Sequence, residues 1–226
     1  TNVFNTDEIS NIRKNIEVEL SKGNNFSNEF SHIFSQIQNP ISKCCIDINT
    51  IYFNPQINGL LKNYYKSNFR IKWIDCYRSY PTKDLQSSWK WHCDNHPYGV
   101  LKGIILLTDQ DENSGAMQIF DKNRTKRIKY AGYDGNRMES RLDDLSDICN
   151  DLKIEKKANY LIGKAGDMFL FEANNLHKAT PPLHGFRDAS TILILPYFKD
   201  KKTLFNKELT NTLESSSGGW PPRPWL

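Results

Sequence analysis

The stretch Trp89-Lys90-Trp91-His92-Cys93-Asp94-Asn95 decides how the rest of the sequence is interpreted. Its composition predicts a β-strand over residues 88–94. Because side chains alternate along a strand, we expect His92 and Asp94 to point to one side and Cys93 to the other. An imidazole and a carboxylate that converge on one point can bind a metal ion. Such a pair is not a complete site, so a third ligand has to come from a distant part of the chain.

Length and composition bound the class of protein. The chain has 226 residues, 38% hydrophobic and 12% aromatic, which predicts a globular protein with a single domain over 1–226. No apolar run approaches ~20 residues and there is no signal-peptide pattern, so we expect no membrane span and a cytoplasmic location. The five cysteines have no CxxC spacing, which argues against a disulfide framework. A net charge of +4 gives little support to nucleic-acid binding.

The pattern of apolar residues predicts helices first and strands afterwards. The N-terminal part, 1–40, is expected to hold a helix over 6–22 and a shorter one within 25–38. Short segments rich in aromatic and β-branched residues follow, separated by turn residues. They predict strands over 45–53, 70–78, 88–94, 100–108, 115–120, 167–173 and 189–198. Many short strands of this kind favour an all-β barrel or sandwich, here over 45–198.

Two segments depart from the strand pattern. An insertion over 121–160 begins with the basic run Lys122 to Lys129, which is either a solvated loop or a lid or rim that attracts an anion. Its apolar spacing then predicts a helix from about Met138 to Leu152. The C-terminal tail, 199–226, reads as a Ser/Gly linker followed by a Trp- and Pro-rich end that packs on the domain, packs on a partner, or stays disordered.

The candidate third ligand is His177, which follows an apolar strand and lies 83 residues after Asp94. Two His and one carboxylate form the facial triad of non-haem Fe(II) oxygenases, which leaves three of six positions free. A 2-oxo acid can chelate through two of them, and O₂ can take the last. The distal carboxylate of such a co-substrate needs a fixed cation. Arg187, ten residues after His177, is suited to this because its planar fork binds a carboxylate through two hydrogen bonds.

The order His-x-Asp, a long gap, His and then Arg resembles the Fe(II)/2-oxoglutarate-dependent oxygenases, and most closely the phytanoyl-CoA dioxygenase-like group. The resemblance spans roughly 70–198. Besides the ligand stretch, it rests on Leu106-Leu107-Thr108-Asp109, Glu112-Asn113-Ser114-Gly115-Ala116-Met117-Gln118 and Gly166-Asp167. It implies a mainly β fold, a double-stranded β-helix (jelly-roll, cupin-like) core with N-terminal helices and a helical insertion. It also implies Fe(II) held by His92, Asp94 and His177, and 2-oxoglutarate held by Arg187.

Other pocket residues follow less directly. Relatives often carry a Ser two residues after the Arg, where this chain has Ala189, so Thr191 on the same strand face is the candidate for a second 2-oxoglutarate contact. The resemblance also suggests Tyr77. Trp89 is expected either to pack in the core or to form a wall of the co-substrate pocket. The remaining histidines, His32, His96 and His184, are not expected to bind metal.

The resemblance implies a dioxygenase that hydroxylates a C–H bond of a small-molecule or carrier-linked metabolite and releases succinate and CO₂. The basic run favours an anionic metabolite. Asp94 argues against halogenation, because halogenating relatives lack that carboxylate, whereas desaturation, ring closure and epimerisation stay open. Two further hypotheses are a non-catalytic sensor of 2-oxoglutarate or metal on the same fold, and a protein hydroxylase. The sequence does not predict an oligomeric state.

Overall fold

The computed structural model describes residues 1–23 and 33–197, and two antiparallel β-sheets form its centre. The five-stranded sheet has the order β1-β2-β8-β3-β6, and the three-stranded sheet has the order β5-β4-β7. The strands are β1 Phe34–Gln36, β2 Asn68–Ser79, β3 Leu101–Leu106, β4 Gln118–Ile119, β5 Asn159–Tyr160, β6 Met168–Glu172, β7 His177–Lys178 and β8 Arg187–Tyr197.

Helices cover both outer sides of the sheets. They are α1 Thr6–Ser21, α2 Pro40–Lys43, α3 Ile48–Phe53, α4 Pro55–Tyr65, α5 Lys122–Tyr130 and α6 Ser146–Asp151, with short 3₁₀ helices at Ser87–Trp89 and Met138–Ser140. Within the described part of the chain, none of these helices is both long and apolar enough to cross a membrane.

Three apolar clusters define the layers. The first joins α1, α3 and α4 to the outer face of the five-stranded sheet, through residues such as Ile12, Tyr52 and Ile194. The second lies between the two sheets and includes Ile104 and Ile119. The third packs α5 and α6 of the insertion against the other side of the three-stranded sheet. The layers are therefore helices, sheet, sheet and insertion, an arrangement that buries both faces of each sheet.

The predicted jelly-roll core is confirmed, because the strands form two facing antiparallel sheets. The long strands are also confirmed: β2, β3, β6 and β8 match the predicted strands to within a few residues. β8 lies between β2 and β3 and is buried along most of its length, which explains its nearly continuous apolar sequence. The predicted first helix is confirmed as α1, which begins with a capping box formed by Asn5 and Glu8.

Several predicted elements are wrong. The predicted strand over 45–53 contains α3, which is capped by the Asp47 side chain and ends before Pro55. The last part of the predicted second helix forms the strand β1 instead. Residues 24–32 lie outside the described residues. The predicted strand over 115–120 shortens to β4. The predicted helix from Met138 to Leu152 is a 3₁₀ turn followed by α6. The tail, 198–226, is also outside the described residues.

A buried ion pair ties β2 to β8 beside the candidate site. Arg78 on β2 donates from Nε to Asp188 Oδ1 and from Nη2 to Asp188 Oδ2, both at 2.7 Å. The Asp188 side chain is 0% exposed, so the pair is desolvated. Arg78 Nη2 also contacts Glu17 Oε1 of α1 at 2.6 Å, but the Glu17 side chain is 57% exposed. Because Asp188 and Arg187 point to opposite faces of β8, the pair holds the strand without entering the site.

We expect Asp188→Asn to lower the free energy of unfolding by about 3 kcal/mol or more, because it removes the buried partner of Arg78 and leaves the exposed Glu17 to offset the buried charge. Glu17→Gln is the matched control. It removes the exposed partner of the same guanidinium and is expected to cost less than about 1 kcal/mol. Urea unfolding of the two variants measures both values. Equal losses would mean that burial of the Arg78–Asp188 pair does not govern its contribution.

Candidate metal centre

The backbone brings the first two candidate ligands to the third. His92 and His177 form an isolated antiparallel bridge, in which each N–H donates to the other's carbonyl oxygen at 3.0 Å. Asp94 N–H then donates to Ala173 O at 3.2 Å. The ligand stretch is therefore extended, as predicted, but it is joined to β7 by a single bridge and is not a regular strand over 88–94.

The other edge of the ligand stretch is bonded to the insertion. Trp91 N–H donates to Leu142 O and Cys93 N–H donates to Asp134 O, both at 2.9 Å. Gly135 follows Asp134 and has a φ of 60°, and a Cβ atom there would lie 2.3 Å from Trp91 O. Only glycine fits such a close approach. The insertion therefore forms one wall of the ligand stretch, a role that its sequence did not reveal.

The three predicted ligands converge. His92 Nε2 lies 3.8 Å from Asp94 Oδ1, and His177 Nε2 lies 3.5 Å from Asp94 Oδ2. The ligand atoms are all within 4.8 Å of one another, and the side chains are buried. Within the described ranges, this is the one group of three or more His, Cys, Asp or Glu side chains with such spacing. His96 and His184 are not part of it, and His32 lies outside the described residues.

Both imidazoles are oriented in the same way. Nδ1 of His92 lies 2.8 Å from Lys90 O, and Nδ1 of His177 lies 2.7 Å from Asn175 O. A backbone carbonyl can only accept, so each Nδ1 carries the proton. Each Nε2 then has a free lone pair directed at Asp94. A hydrogen bond from the second ring nitrogen to a carbonyl is the arrangement that metal-binding histidines use.

The charges of the three side chains suit a divalent cation. Burial, together with the neighbouring His177, lowers the pKa of His92 to about 2, and burial also lowers the pKa of His177. Burial alone would raise the pKa of Asp94, but the charge of Lys102 leads the opposing effects and holds it below its usual value. Two neutral imidazoles and one carboxylate result, which is the protonation state that metal binding requires.

Lys102 is the cation next to the candidate ligand Asp94. Its Nζ lies 2.7 Å from Asp94 Oδ2, and its side chain is 12% exposed. Lys102 stands on β3, paired with Phe171 of β6 and Leu193 of β8. The lysine therefore reaches the carboxylate from the five-stranded sheet and offsets its charge inside the sandwich.

Arg187 is a fully buried cation without a counter-ion in the described part of the chain. Its exposure is 0%, and Nε and Nη1 have no hydrogen-bond partner. Nη2 donates to Tyr77 OH at 3.4 Å, and Tyr77 OH lies 3.4 Å from Thr191 Oγ1. Gly115, with φ 95°, allows the Gly-Ala-Met-Gln turn to pack on this side chain, since a Cβ would lie 2.9 Å from Arg187 Cδ. The structure thus brings Arg187, Tyr77 and Thr191 together.

The tryptophans of the ligand stretch are both buried. Trp91 packs against Phe120 in a tilted arrangement with ring centroids 4.7 Å apart, and it belongs to the cluster beneath the insertion, together with Cys93. Cys93 therefore points away from the ligands, as predicted. Trp89 ends a 3₁₀ helix and is 5% exposed. Its place in a pocket wall stays a prediction.

Asp75 is an interior carboxyl that the sequence did not suggest. It pairs with Thr191 across β2 and β8, and its Oδ1 accepts Thr191 N–H at 2.9 Å. Burial raises its pKa from 3.8 to about 7, although the charges of Lys102 and Arg187 act in the opposite direction. Asp75 is therefore largely protonated below neutral pH. Only strand pairing places it on the inner face with Thr191, so no sequence pattern would have found it.

The basic run of the insertion is neither a loop nor an open rim. Residues 122–130 form α5, whose buried residues pack in the cluster beneath the insertion. Lys122 pairs with Glu172 at 2.8 Å and Arg124 pairs with Asp121 at 2.5 Å. Arg127 donates to a backbone carbonyl. Most of these charges hold the insertion together, so the run does not support an anion-binding rim.

Solved structures with the same fold were found, although no family model and no curated protein matches the sequence. The non-heme α-ketoglutarate-dependent carbocyclase SnoK from nogalamycin biosynthesis is 18% identical over 85% of this chain and 76% of its own, with a TM-score of 0.59. The epimerase SnoN, in complex with Fe³⁺, α-ketoglutarate and nogalamycin RO, is 12% identical over 86% and 77%, with a TM-score of 0.57. HygX from Streptomyces hygroscopicus, with nickel, 2-oxoglutarate and hygromycin B bound, is 13% identical over 87% and 81%, with a TM-score of 0.54. The chain therefore has the cupin-like fold of these 2-oxoglutarate-dependent enzymes.

We expect His177→Ala to weaken Mn(II) binding by about 100-fold or more. Removal of a residue that only hydrogen-bonds to a metal ligand lowers affinity by about 10- to 100-fold, and removal of the ligand itself should lower it further. Isothermal titration calorimetry under anaerobic conditions measures the affinity. His184→Ala, at an exposed turn position, is the matched control and should bind Mn(II) as the unaltered protein does. Retention of full affinity by His177→Ala would remove it from the ligand set.

Asp75 predicts a pH dependence of stability. Its carboxyl keeps its proton in the folded protein up to about pH 7, whereas the unfolded chain releases it near pH 4. The folded state therefore binds more protons in this window, and its contribution to stability falls as pH rises. Between pH 5 and 8, we expect the unaltered protein to lose about 2–3 kcal/mol relative to Asp75→Asn, which keeps the acceptor for Thr191 N–H. Metal-free urea unfolding at both pH values tests this, and parallel pH curves would contradict it.

Proposed function

We propose that this protein is an Fe(II)- and 2-oxoglutarate-dependent oxygenase that hydroxylates a C–H bond of a small molecule. One observation carries the proposal. A buried His-Asp-His group stands in the same sandwich as a buried arginine that has no counter-ion in the described residues. A metal ion satisfies the first, and a dicarboxylate that chelates the metal satisfies the second.

The ligand set favours Fe(II) over a structural zinc ion. Two imidazoles and one carboxylate with no thiolate are typical of non-haem iron, whereas closed zinc sites use four ligands that usually include cysteine. Cys93 is the nearest cysteine in sequence, and it points into the cluster beneath the insertion. The three side chains would leave open positions for a chelating co-substrate and O₂.

Arg187 is the residue that would bind the distal carboxylate of 2-oxoglutarate. An unpaired buried cation is costly, so a counter-ion from outside the chain is expected. Its free Nε and Nη1 groups can donate to that carboxylate, and Tyr77 and Thr191 add hydroxyl groups next to it. The neutral form of Asp75 would avoid repulsion of the bound dianion.

The bound iron, 2-oxoglutarate and O₂ would supply the oxidation, with one oxygen atom entering the product and the other entering succinate as CO₂ leaves. The chain's own residues would hold the reactants and exclude water. Phe171 contributes to this, since its ring lies 5.2 Å from that of His177 and is buried. Asp94 keeps the carboxylate ligand, which favours hydroxylation over halogenation.

A small-molecule substrate is supported by SnoN and HygX, which were solved with nogalamycin RO and hygromycin B. SnoK is a carbocyclase and SnoN is an epimerase, so this fold also carries out ring closure and epimerisation. Those reactions are the second candidate function and would use the same ligands. Mass analysis of the product distinguishes them, because hydroxylation adds one oxygen atom whereas epimerisation leaves the mass unchanged.

We expect Arg187→Ala to raise the dissociation constant for 2-oxoglutarate by about 100-fold or more, because the buried charge partner of its carboxylate is lost. Arg187→Lys should lie between Arg187→Ala and the unaltered protein, since it keeps the charge without the fork. Tyr77→Phe should cost about tenfold or less, as it removes one neutral hydrogen bond. The visible absorption of the anaerobic Fe(II)–2-oxoglutarate chelate measures all three.

The metal affinity of the same variants is the control and should change little. Equal losses of Mn(II) and 2-oxoglutarate binding in Arg187→Ala would count against its role as carboxylate anchor. Release of succinate then separates an enzyme from a sensor. If 2-oxoglutarate binds but aerobic incubation with broad metabolite pools releases no succinate, the sensor hypothesis replaces the oxygenase.

A further inference from the structure

We propose that Arg141 of the insertion binds an anionic group of the substrate, a carboxylate or a phosphate, beside the metal centre. The inference deepens the proposed function and rests on it. It replaces the basic run of α5 with a single arginine as the source of selectivity for an anion.

Hydrogen bonds fix the position of Arg141 against the ligand stretch. Leu142, the next residue, accepts from Trp91 N–H at 2.9 Å through its carbonyl oxygen. Leu142 N–H donates to Tyr133 OH at 2.8 Å, and that hydroxyl donates to Trp91 O at 2.7 Å. Both backbone groups of Leu142 are thus tied to the residue that precedes His92. These hydrogen bonds fix the backbone next to Arg141 against the ligand stretch.

The side chain is anchored on the same wall. Arg141 Nε donates to Gly135 O at 2.9 Å. Gly135 is in contact with the metal-binding segment, because a Cβ atom there would lie 2.8 Å from His92 Cα. The guanidinium of Arg141 is therefore hydrogen-bonded to Gly135, and Gly135 packs against the backbone of the candidate ligand His92.

Arg141 is the half-buried arginine of the insertion that has no ion pair within the described residues, since Arg127 and Arg137 are exposed. Arg124 pairs with Asp121, and Arg127 donates to Leu152 O. Arg141 is half-buried, and burial lowers its pKa, which a paired guanidinium would resist. Its hydrogen bond to Gly135 O uses Nε, so the two terminal nitrogens can bind a carboxylate or phosphate through two parallel hydrogen bonds.

The net charge around the candidate centre favours the binding of one more anion. Arg141 acts on the ligands directly, since its charge lowers the pKa values of His92 and His177. Lys102 contacts the ionised Asp94, the charge of Arg141 interacts with it, and Arg187 adds a buried cation elsewhere in the same sandwich. The charges of Fe(II) and the 2-oxoglutarate dianion cancel each other, so this surplus of positive charge would remain in the loaded site. A substrate anion would reduce it.

A cavity lies next to the ligand stretch. A cavity of about 660 Å³ lies between Asn95 and the insertion, lined by Asp134 and residues 136–140. Asn95 follows the ligand Asp94, and residue 140 precedes Arg141. Neither the three candidate ligands nor Arg141 lines this cavity, so it adjoins the candidate centre along the chain and is not the centre itself.

The test uses the full chain loaded with Mn(II) and saturating 2-oxoglutarate under anaerobic conditions. The probes are benzoate and phenyl phosphate, with benzyl alcohol as a neutral probe of similar size. Proton NMR measures the relaxation that Mn(II) causes in the ring protons, which reports binding near the metal without turnover. We expect one or both anions to bind at least about tenfold more tightly than benzyl alcohol, and the tighter of the two identifies the anion class.

Arg141→Gln should weaken binding of the anion by about tenfold or more and leave benzyl alcohol unchanged, and Arg141→Lys should restore part of the difference. The control is Lys126→Gln, which removes a charge from the exposed face of α5 and should change nothing. Equal binding of anions and alcohol, or no effect of Arg141→Gln, overturns this inference alone if Mn(II) and 2-oxoglutarate still bind. Failure to bind Mn(II) overturns the proposed function as well.

Discussion

The pair of backbone hydrogen bonds between His92 and His177 is the constraint on which the candidate site depends. It places two residues that are far apart in sequence side by side, with ring centroids 4.4 Å apart. Each ring is then turned by the carbonyl oxygen of the residue two positions earlier, Lys90 or Asn175. The extended backbone of the two segments thus specifies both the position of each imidazole and the nitrogen that carries its proton. Asp94 completes the group because extended geometry returns its side chain to the same side.

The buried cations around this group differ in whether they have a counter-ion in the described residues. Lys102 is paired with Asp94, whereas Arg187 lies on the same sheet with two nitrogens, Nε and Nη1, that have no hydrogen-bond partner. Buried charges without partners are expensive, so a fold that keeps one is expected to obtain a partner from a ligand. The nearby Arg78–Asp188 pair shows the contrast, since it faces the opposite side of β8 and is fully satisfied. One strand therefore carries the partner of a paired arginine on one face and an arginine without a counter-ion in the described residues on the other.

The sequence predicted the parts of the molecule that depend on short-range pattern. Spacing identified the three candidate ligands, which converge in the structure, and alternation identified β2, β3, β6 and β8. It failed over α3, because its apolar and polar residues fit a helix face as well as a strand, and capping by Asp47 decides between them. Lys102, Asp75 and Arg141 were not assigned because their roles arise from strand register or from the insertion. The basic run was misread because its partners, such as Glu172, are distant in sequence.

The insertion is attached to the ligand stretch at two places, residues 133–135 and residues 141–142. Between them, residues 136–140 line the open cavity and make no such bonds to that stretch. The segment 133–142 is thus fixed to the ligand stretch at both ends, while its middle part forms part of a cavity wall. Changes within 136–140 would alter the lining of the cavity without disturbing the candidate metal centre, whereas changes at either end would affect both. Within the ten residues 133–142, the middle five can therefore vary in sequence, whereas the two ends are constrained by their bonds to the ligand stretch.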